Sequence, residues 1–306
     1  MQTRFRSNEV FVSAARTDVT VGAVSKPYHP TALLAKPYDQ VLQYLNSSIY
    51  LQNPISEEIG LSLKPVEYDV EFLSQPKPFR NRFIFSAKIG MRAKAKIDLI
   101  DNPHIPSIID ELTEMPAQAA VRTLESIDHY YAIRVFSLGK TGLNPRPVSS
   151  RQSITAVDAT MAKHYMQRVK QFQSVENIYI GEWQHYGNKY TVVLIPSEIP
   201  FIESIEAWPN SISYEFDDGK KHGYSQQGGG FYATKYSVFK YLHRLRKKAG
   251  VLVIREIDNT YHTGVGVWQV REGVRLALER LKKTDAEALH LKYPTKTFSQ
   301  NLLSFL

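Results

Sequence analysis

The sequence predicts a mixed α/β fold: a central mixed sheet flanked by amphipathic helices, with an irregular N-terminal region. Three observations carry this reading. Strand-like and helix-like segments alternate from residue 130 onward, the pattern of a layered domain. Ile154, Val157, Met161, Tyr165, Val169 and Phe172 form one apolar stripe opposite a polar side, so the helix that starts near Ser153 has a face to lay on a sheet. Period-two alternation in Val66 to Phe72, and again in Arg82 to Ser86, reads as strands.

In chain order, residues 1–56 are rich in Pro, Tyr and polar side chains, with one β-like run from Glu9 to Ser13 and an apolar segment from Val41 to Leu45. The two alternating strands that follow are separated by a turn from Gln75 to Pro78. Pro103 and Pro106 mark a loop and helix entry. Ile108, Ile109, Leu112, Ala119, Ala120 and Leu124 then recur at helical spacing as far as Ser126. Tyr130 to Phe136 is a strand candidate, and Gly139 to Pro147, with two Gly and two Pro, is a loop. Glu176 to Gly181 and Tyr190 to Ile195 read as strands around a hairpin turn at His185 to Asn188. Ile212 to Phe216 is a strand, Asp217 to Gly230 a loop, and Tyr232 to Lys248 a basic helix. Val251 to Arg255 is a strand and residues 267–283 a final helix. The expected organisation is an N-terminal Pro/Tyr-rich and β-rich region over 1–100, an α/β region over 101–283, and a flexible tail over 284–306.

The chain has 306 residues, 43% of them hydrophobic, which is enough for a real core. No run of about 18 apolar residues occurs and the N-terminus lacks an apolar signal core, so a membrane or secreted destination is not expected and a cytoplasmic setting is. There is no cysteine, which removes disulfides, thiolate nucleophiles and cysteine-based zinc sites. No metal or cofactor is assigned, and Mg²⁺ enters only in an enzymatic reading, where Asp158, Glu215, Glu256 and Glu272 are the available carboxylates.

The formal charge of +8 favours an anionic partner. Seven basic residues and no acid lie between Lys77 and Lys96, among Phe79, Phe83 and Phe85. Lys235, Lys240, Arg244, Arg246, Lys247 and Lys248 form a second acid-free stretch among Tyr232, Tyr236, Phe239 and Tyr241. Basic groups neutralise phosphates and aromatic faces stack on bases, so the mixture suits nucleic acid. The competing reading is a solvated face around a buried aromatic stripe.

Arg151, Ser153, Thr155 and Asp158 sit where a Pro-rich loop meets a helix, and exposed N–H groups there favour phosphate. Alternatively, Thr155 and Asp158 form a capping box, a role that does not require Arg151. Glu256, Arg271, Glu272 and Arg275, with Arg255, either clamp a phosphodiester or form an Arg/Glu network, since Arg271 and Arg275 are adjacent on one helix face. Arg151, Asp158, Glu256, Arg271 and Glu272 are the candidate catalytic pocket. Trp268, with Tyr261 and His262, either stacks a base or is buried beside a tight turn. Gly228 to Gly230 lacks the lysine and hydroxyl spacing of a Walker A loop, and no dinucleotide fingerprint occurs.

Several segments, in order, resemble the archaeal Nre DNA-repair family across nearly the whole chain. They are Val10 to Val12 through Gly22, Leu61 to Val66, Asn102 to Pro106, Ser137 to Gly139, Arg151 to Asp158, Gly229 to Ala233, and Val267 to Arg275. The chain departs from the family in having no cysteine-rich, zinc-suited element, Gln152 in place of an aromatic residue, and Ala159 in place of a second acid. The resemblance implies a role in DNA damage tolerance, and a terminal sliding-clamp peptide in many members. Here Leu302, Phe305 and Leu306 have the spacing of a peptide that binds a PCNA-like clamp, with Ser299 in place of the usual Gln. The expected function is a DNA-binding, nucleoid-associated repair factor recruited by a sliding clamp. The alternatives are an enzyme acting on DNA, as a nuclease or base-removing hydrolase, and an RNA-binding or RNA-modifying protein.

Overall fold

The computed structural model describes residues 2–7, 12–13, 16–20, 34–41, 48–51, 57–75, 77–80, 89–148, 150–220, 223–261, 267–285 and 287. Packing divides the chain into two units, residues 1–160 with 263–265, and residues 161–262 with 266–306. No described helix is long and apolar enough to cross a membrane.

The first unit holds two sheets. One has the order β1 (Gln2–Ser7), β5 (Val66–Phe72) and β8 (Ala95–Leu99), all antiparallel. The other runs β2 (Val12–Ser13), β3 (Arg16–Thr20), β4 (Ser48–Leu51), β7 (Ile89–Ala93) and β6 (Lys77–Arg80). Alternation singles out only Glu9 to Ser13 within residues 1–56, and the structure adds β1, β3 and β4 there. The expected strand from Arg82 to Ser86 lies outside the described residues. Tyr68, Val70, Ala93 and Ala95 pack with Ile59 of α1 (Glu57–Leu61) into a small core.

Four further helices follow: α2 (Ile108–Glu111), α3 (Ala117–Glu125), α4 (His129–Ser137) and α5 (Ser150–Val169). The single helix expected over 108–126 is thus two, with Pro116 as the N-cap of the second, because its missing N–H cannot continue the first. The strand expected over Tyr130 to Phe136 is helix α4. Its Asp128 cap accepts a 2.8 Å bond from the Tyr131 N–H, which satisfies a donor that only a helix start exposes. Tyr131 in turn donates its hydroxyl to Leu61 O at 2.8 Å, and burial pushes its pKa up to about 12.

The second unit is one six-stranded sheet in the order β13 (Ser211–Asp217), β12 (Phe201–Trp208), β15 (Gly250–Ile257), β11 (Asn188–Ile195), β10 (Ile178–His185) and β16 (Lys282–Thr284). The pairs are antiparallel except β12 with β15, so a crossover connects those two. It runs through β13, α6 (Gly229–Leu245) and the short β14 (Lys247–Lys248), which pairs with β9 (Gln173–Ser174). The β10–β11 hairpin turns at Tyr186 and Gly187, both with positive φ (49° and 70°), as a two-residue primed turn demands.

One face of this sheet packs with α6, α7 (Val267–Leu278) and the end of α5 around Val192, Leu194, Ile202, Val251 and Val253. The α5 stripe behaves as its spacing predicts, with Val157, Met161 and Val169 buried. Helix α7 approaches β10 so closely that a Cβ on Gly181 would lie 2.1 Å from Ala277 O. Backbone occupies that space, so relief requires the helix to move. Gly181→Ala is expected to destabilise the protein by about 1–3 kcal/mol through overpacking, read as a lower urea midpoint with an unchanged m-value.

Candidate functional site

The α6/α7 face of the six-stranded sheet changes character toward one end. Its inner rows, Leu194, Val251 and Ile202, then Val192, Val253 and Ser204, are largely apolar. The next row is Trp183, Tyr190, Arg255 and Glu206, set side by side by strand register. Beyond it lie His185 and Asn188, with Trp208 two residues past Glu206. Because β12 and β15 are parallel, this polar row sits at the carboxyl ends of both strands, the position where α/β sheets place ligands.

Arg255 organises the row. It is only 6% exposed. Its Nε donates to Asn188 Oδ1 and its Nη1 to Glu206 Oε1, each at 2.8 Å, while Nη2, beside the Tyr190 hydroxyl, makes no hydrogen bond of normal geometry among the described residues. Burial works against the charge, but Tyr190, Glu206 and Tyr261 outweigh it and raise the guanidinium above its ordinary pKa. The guanidinium lies 5.1 Å from the Tyr261 ring centre and 5.8 Å from that of Trp208, and these two rings meet edge to face at 5.8 Å.

Two glycines shape the surroundings. A Cβ on Gly230 would lie 2.8 Å from Glu206 Oε1, and one on Gly273 would lie 2.3 Å from the Tyr190 ring. The first turn of α6, entered through Gly228 at φ 59°, therefore rests against the Glu206 carboxylate, and α7 rests on Tyr190. Tyr190 is fully buried, and burial raises its pKa despite the opposing Arg255 charge. Among the described residues, Gln269, fully buried on α7, has no partner for either amide atom, and neither has His185 for its ring nitrogens.

A second feature of this unit is basic and exposed. Tyr165 and Phe172, at and beyond the end of α5, lie 5.1 and 5.8 Å from the His243 ring of α6. Around this aromatic seam Arg246 lies 5.9 Å from the Phe172 ring, Arg244 5.1 Å from Tyr241, and Lys240 5.2 Å from Tyr236. All three cations are exposed, and so is Arg168. Lys247 and Lys248 are half-buried in β14 and reach Glu176 and Glu198 at 3.6 and 3.8 Å.

Residues 38–214 match the family profile described as archaeal Nre, N-terminal, and residues 217–302 the one described as archaeal Nre, C-terminal. The chain belongs to the archaeal Nre family. The DNA repair protein NreA of Archaeoglobus fulgidus is 31% identical over 242 residues, which cover 73% of this chain and 61% of that relative. The NreA of Haloferax volcanii is 30% identical over 277 residues, 83% of this chain and 63% of its own length. The Archaeoglobus fulgidus DNA repair protein NreB is 26% identical over 241 residues, 72% and 61% of the two chains. The chain thus spans less than two thirds of the length of these relatives, and no solved structure matches it.

In this Nre protein the residues singled out by sequence separate into distinct settings. Arg151 opens α5, but its side chain lies outside the described residues. Ser153, Thr155 and Asp158 are also within α5, because the helix begins at Ser150, so the capping box expected of Thr155 and Asp158 does not form. Ser153 is buried, and fully buried Asp158 binds His129 Nε2 at 2.7 Å, a partner 29 residues away that spacing does not reveal. Glu256 is exposed on the other side of β15 from Arg255 and pairs with Lys189 at 3.2 Å. Arg271 is buried on α7, where its carbonyl accepts from the Ser237 hydroxyl. Glu272 accepts from Arg275 Nε at 2.7 Å, and Arg275 also reaches Glu279 at 2.8 Å. The charge of Arg275 is thereby used within its own helix.

Like Ser153, two further expected nucleic-acid contacts are interior. Lys235 is buried and binds Asp217 Oδ2 at 2.5 Å, so desolvation and an ion pair take it out of any DNA-facing surface. Trp268 is buried, edge-on to Tyr186 at 6.5 Å, the structural alternative to stacking. The four carboxylates considered for Mg²⁺ have separate partners: His129 for Asp158, the Gln226 N–H for Glu215, Lys189 for Glu256 and Arg275 for Glu272. Among the described residues no three His, Asp or Glu side chains converge in a metal-ligating group. His262, Leu302, Phe305 and Leu306 lie outside the described residues. Sequence reasoning passed over Glu206, Asn188, Trp208 and Gln269. Their one legible signal is a charged or amide side chain at an otherwise apolar, element-periodic position.

His185 makes the polar row sensitive to pH. Burial lowers its pKa from 6.5 to about 4, with Glu272 opposing and Arg255 adding to the shift. The unfolded chain therefore binds more protons than the folded one between pH 6.5 and 4. Stability is full above about pH 6.5 and falls as pH drops toward 4, by at most about 3 kcal/mol from this group. Urea unfolding at pH 7 and pH 5 is expected to show that loss in the native chain, and a shallower slope in His185→Gln.

Proposed function

We propose that this protein is a DNA-repair factor that binds DNA through the exposed basic edge of its second unit and is recruited by a sliding clamp through its C-terminal peptide. The repair role follows from its similarity to the DNA repair proteins NreA and NreB. The observation that carries the DNA-binding part is that Lys240, Arg244 and Arg246 are exposed at one end of α6, each stacked on an aromatic ring. Lys240 Nζ also donates to the Tyr236 hydroxyl at 2.8 Å. Such a surface holds phosphates with cations and offers ring faces to bases, and its affinity is set by counterion release. Arg168 extends it along α5, and the last turn of α6 adds His243 and Arg244 at the helix end that favours cations.

Reversing Lys240, Arg244 and Arg246 together to Glu is expected to weaken DNA binding at least tenfold at 100 mM salt. Three fewer phosphate contacts lower the slope of log K against log salt by about three. Fluorescence anisotropy across a salt series measures both, and the melting temperature stays within a degree or so because the three side chains are exposed. Unchanged affinity in the triple variant would remove this face from the proposal.

The clamp part rests on Leu302, Phe305 and Leu306 at the end of a polar segment. Short peptides of this kind bind through a few buried anchors. Deleting residues 299–306 is expected to leave DNA affinity and melting temperature unchanged while abolishing calorimetrically detected binding to the host's sliding clamp, and Phe305→Ala alone to remove most of it. Equal clamp affinity of intact and truncated chains would refute recruitment through this peptide.

A further inference from the structure

Among the described residues of the second unit, Arg255 Nη2, both amide atoms of Gln269 and both ring nitrogens of His185 are buried without a hydrogen-bond partner, as are Trp183 Nε1 and the Tyr190 hydroxyl in the adjoining row. Sheet and helix geometry brings them to one place. Gly181 meets α7 at Ala277 and Tyr190 meets it at Gly273, so α7 runs back along the sheet toward the polar end. Gln269 is one helical turn further on the same helix face, about 6 Å along the axis. That step matches two strand residues, from Tyr190 to Asn188 on β11 and from Trp183 to His185 on β10. Gln269 therefore stands over the His185 and Asn188 row, and Asn188 is the residue that Arg255 Nε holds. Buried polar atoms are ordinarily paired, and a cluster without partners calls for a reason.

The chemistry of the cluster selects its ligand. A phosphate requires cations that are not already neutralised, whereas Arg255 is paired with Glu206 and burial keeps His185 uncharged at neutral pH. The atoms left over are mixed: Arg255 and the Gln269 amide nitrogen donate, the Gln269 oxygen accepts, and a neutral imidazole does one of each. A flat ring with amide-like donors and acceptors along its edge answers such a set. Trp208 and Tyr261 supply half-buried ring faces beside Arg255, and the first turn of α6 meets Glu206 with Gly230. We propose that the carboxyl end of β12 and β15 is a nucleobase site, in which Arg255, Gln269 and His185 read the edge of one base and Trp208 and Tyr261 cover its face.

Two sources present the same ring: a nucleotide swung out of a DNA strand and a free nucleoside. The first rests on the DNA-binding reading above, and the second does not. All three tryptophans, Trp183, Trp208 and Trp268, lie in this unit, and the first two belong to the polar rows, so their emission reports on occupancy. The full chain is titrated with adenosine, guanosine, cytidine and thymidine to millimolar concentration. A parallel titration uses a duplex carrying 2-aminopurine opposite an abasic position. Gln269→Leu removes both unpaired amide atoms at nearly constant volume, so the variant folds with a melting temperature equal to or above that of the native chain. It is expected to bind at least tenfold more weakly in whichever titration the native chain responds, and Trp208→Ala likewise. A response to nucleosides identifies a free-base site. A response confined to the duplex identifies an extruded base. The Lys240, Arg244 and Arg246 triple Glu variant keeps the nucleoside response even where it loses the duplex, which separates failure of the DNA face from failure of this site. Absence of response to every nucleoside and to the duplex overturns the assignment, as does equal affinity in Gln269→Leu.

Discussion

A guanidinium buried at the edge of an apolar core is the constraint from which the second unit is built. Arg255 cannot be left alone in a low-dielectric interior, and removing one partner of such a pair typically costs about 3–5 kcal/mol. Its neighbours follow from that. Glu206 must lie directly across on β12, which fixes the register of the parallel pair, and Asn188 must lie two residues before Tyr190 on β11, diagonal to Arg255. A Cβ at position 230 would press on the same carboxylate oxygen that receives Arg255, so glycine there leaves that bond undisturbed. Strand order, register and the start of the crossover helix thus share one electrostatic requirement.

Seen this way, the net charge divides into two populations with different physics. Lys235 with Asp217, Arg255 with Glu206, and Arg275 with Glu272 and Glu279 are intramolecular pairs whose charges cancel locally. Lys240, Arg244 and Arg246 are exposed, with their charges stacked on aromatic rings. Lys235 and Lys240 are five residues apart on one helix and differ completely in role, since at 100° per residue they point to different sides. A linear count of basic residues merges the two populations, and only the packing of α6 on the sheet separates them.

The elements that could be read from sequence are those whose period extends over several turns or strands. The α5 stripe spans five turns and gives a buried face, and the residues around Tyr186 and Gly187 turn where hairpin chemistry expects. Residues Tyr130 to Phe136 misled because seven residues cannot distinguish a period of 2 from 3.6 when most are apolar. The deciding group, the Asp128 carboxylate that caps α4, precedes that window. Strand β12 went unread because Glu203, Ser204 and Glu206 interrupt its apolar run, and with it went Glu206. The polar row follows the same logic: each member is ordinary in its own segment, and only register makes Tyr190, Arg255 and Glu206 neighbours across three strands. Asp158 illustrates the converse, a motif residue with a clear local reading that a tertiary partner, His129, overrides.

Helix α6 joins the two surfaces to which function is assigned here, and its length relates them quantitatively. Its first turn touches the polar row through Gly230, and its last turn carries Arg244 just before Arg246. Between Gly229 and Arg244 the axis advances roughly 22 Å at 1.5 Å per residue. That is about six or seven base steps at 3.4 Å each along a strand. A base entering the polar row and phosphates held at the basic edge therefore belong to the same stretch of nucleic acid only if that stretch follows the helix axis. A duplex crossing α6 at right angles is about 20 Å wide and engages the basic edge without reaching the row. The axis of α6 is consequently the direction in which the two proposed sites would become one, the charge at its C-terminal end then lying at a fixed distance from the buried hydrogen-bonding groups beside its N-terminal end.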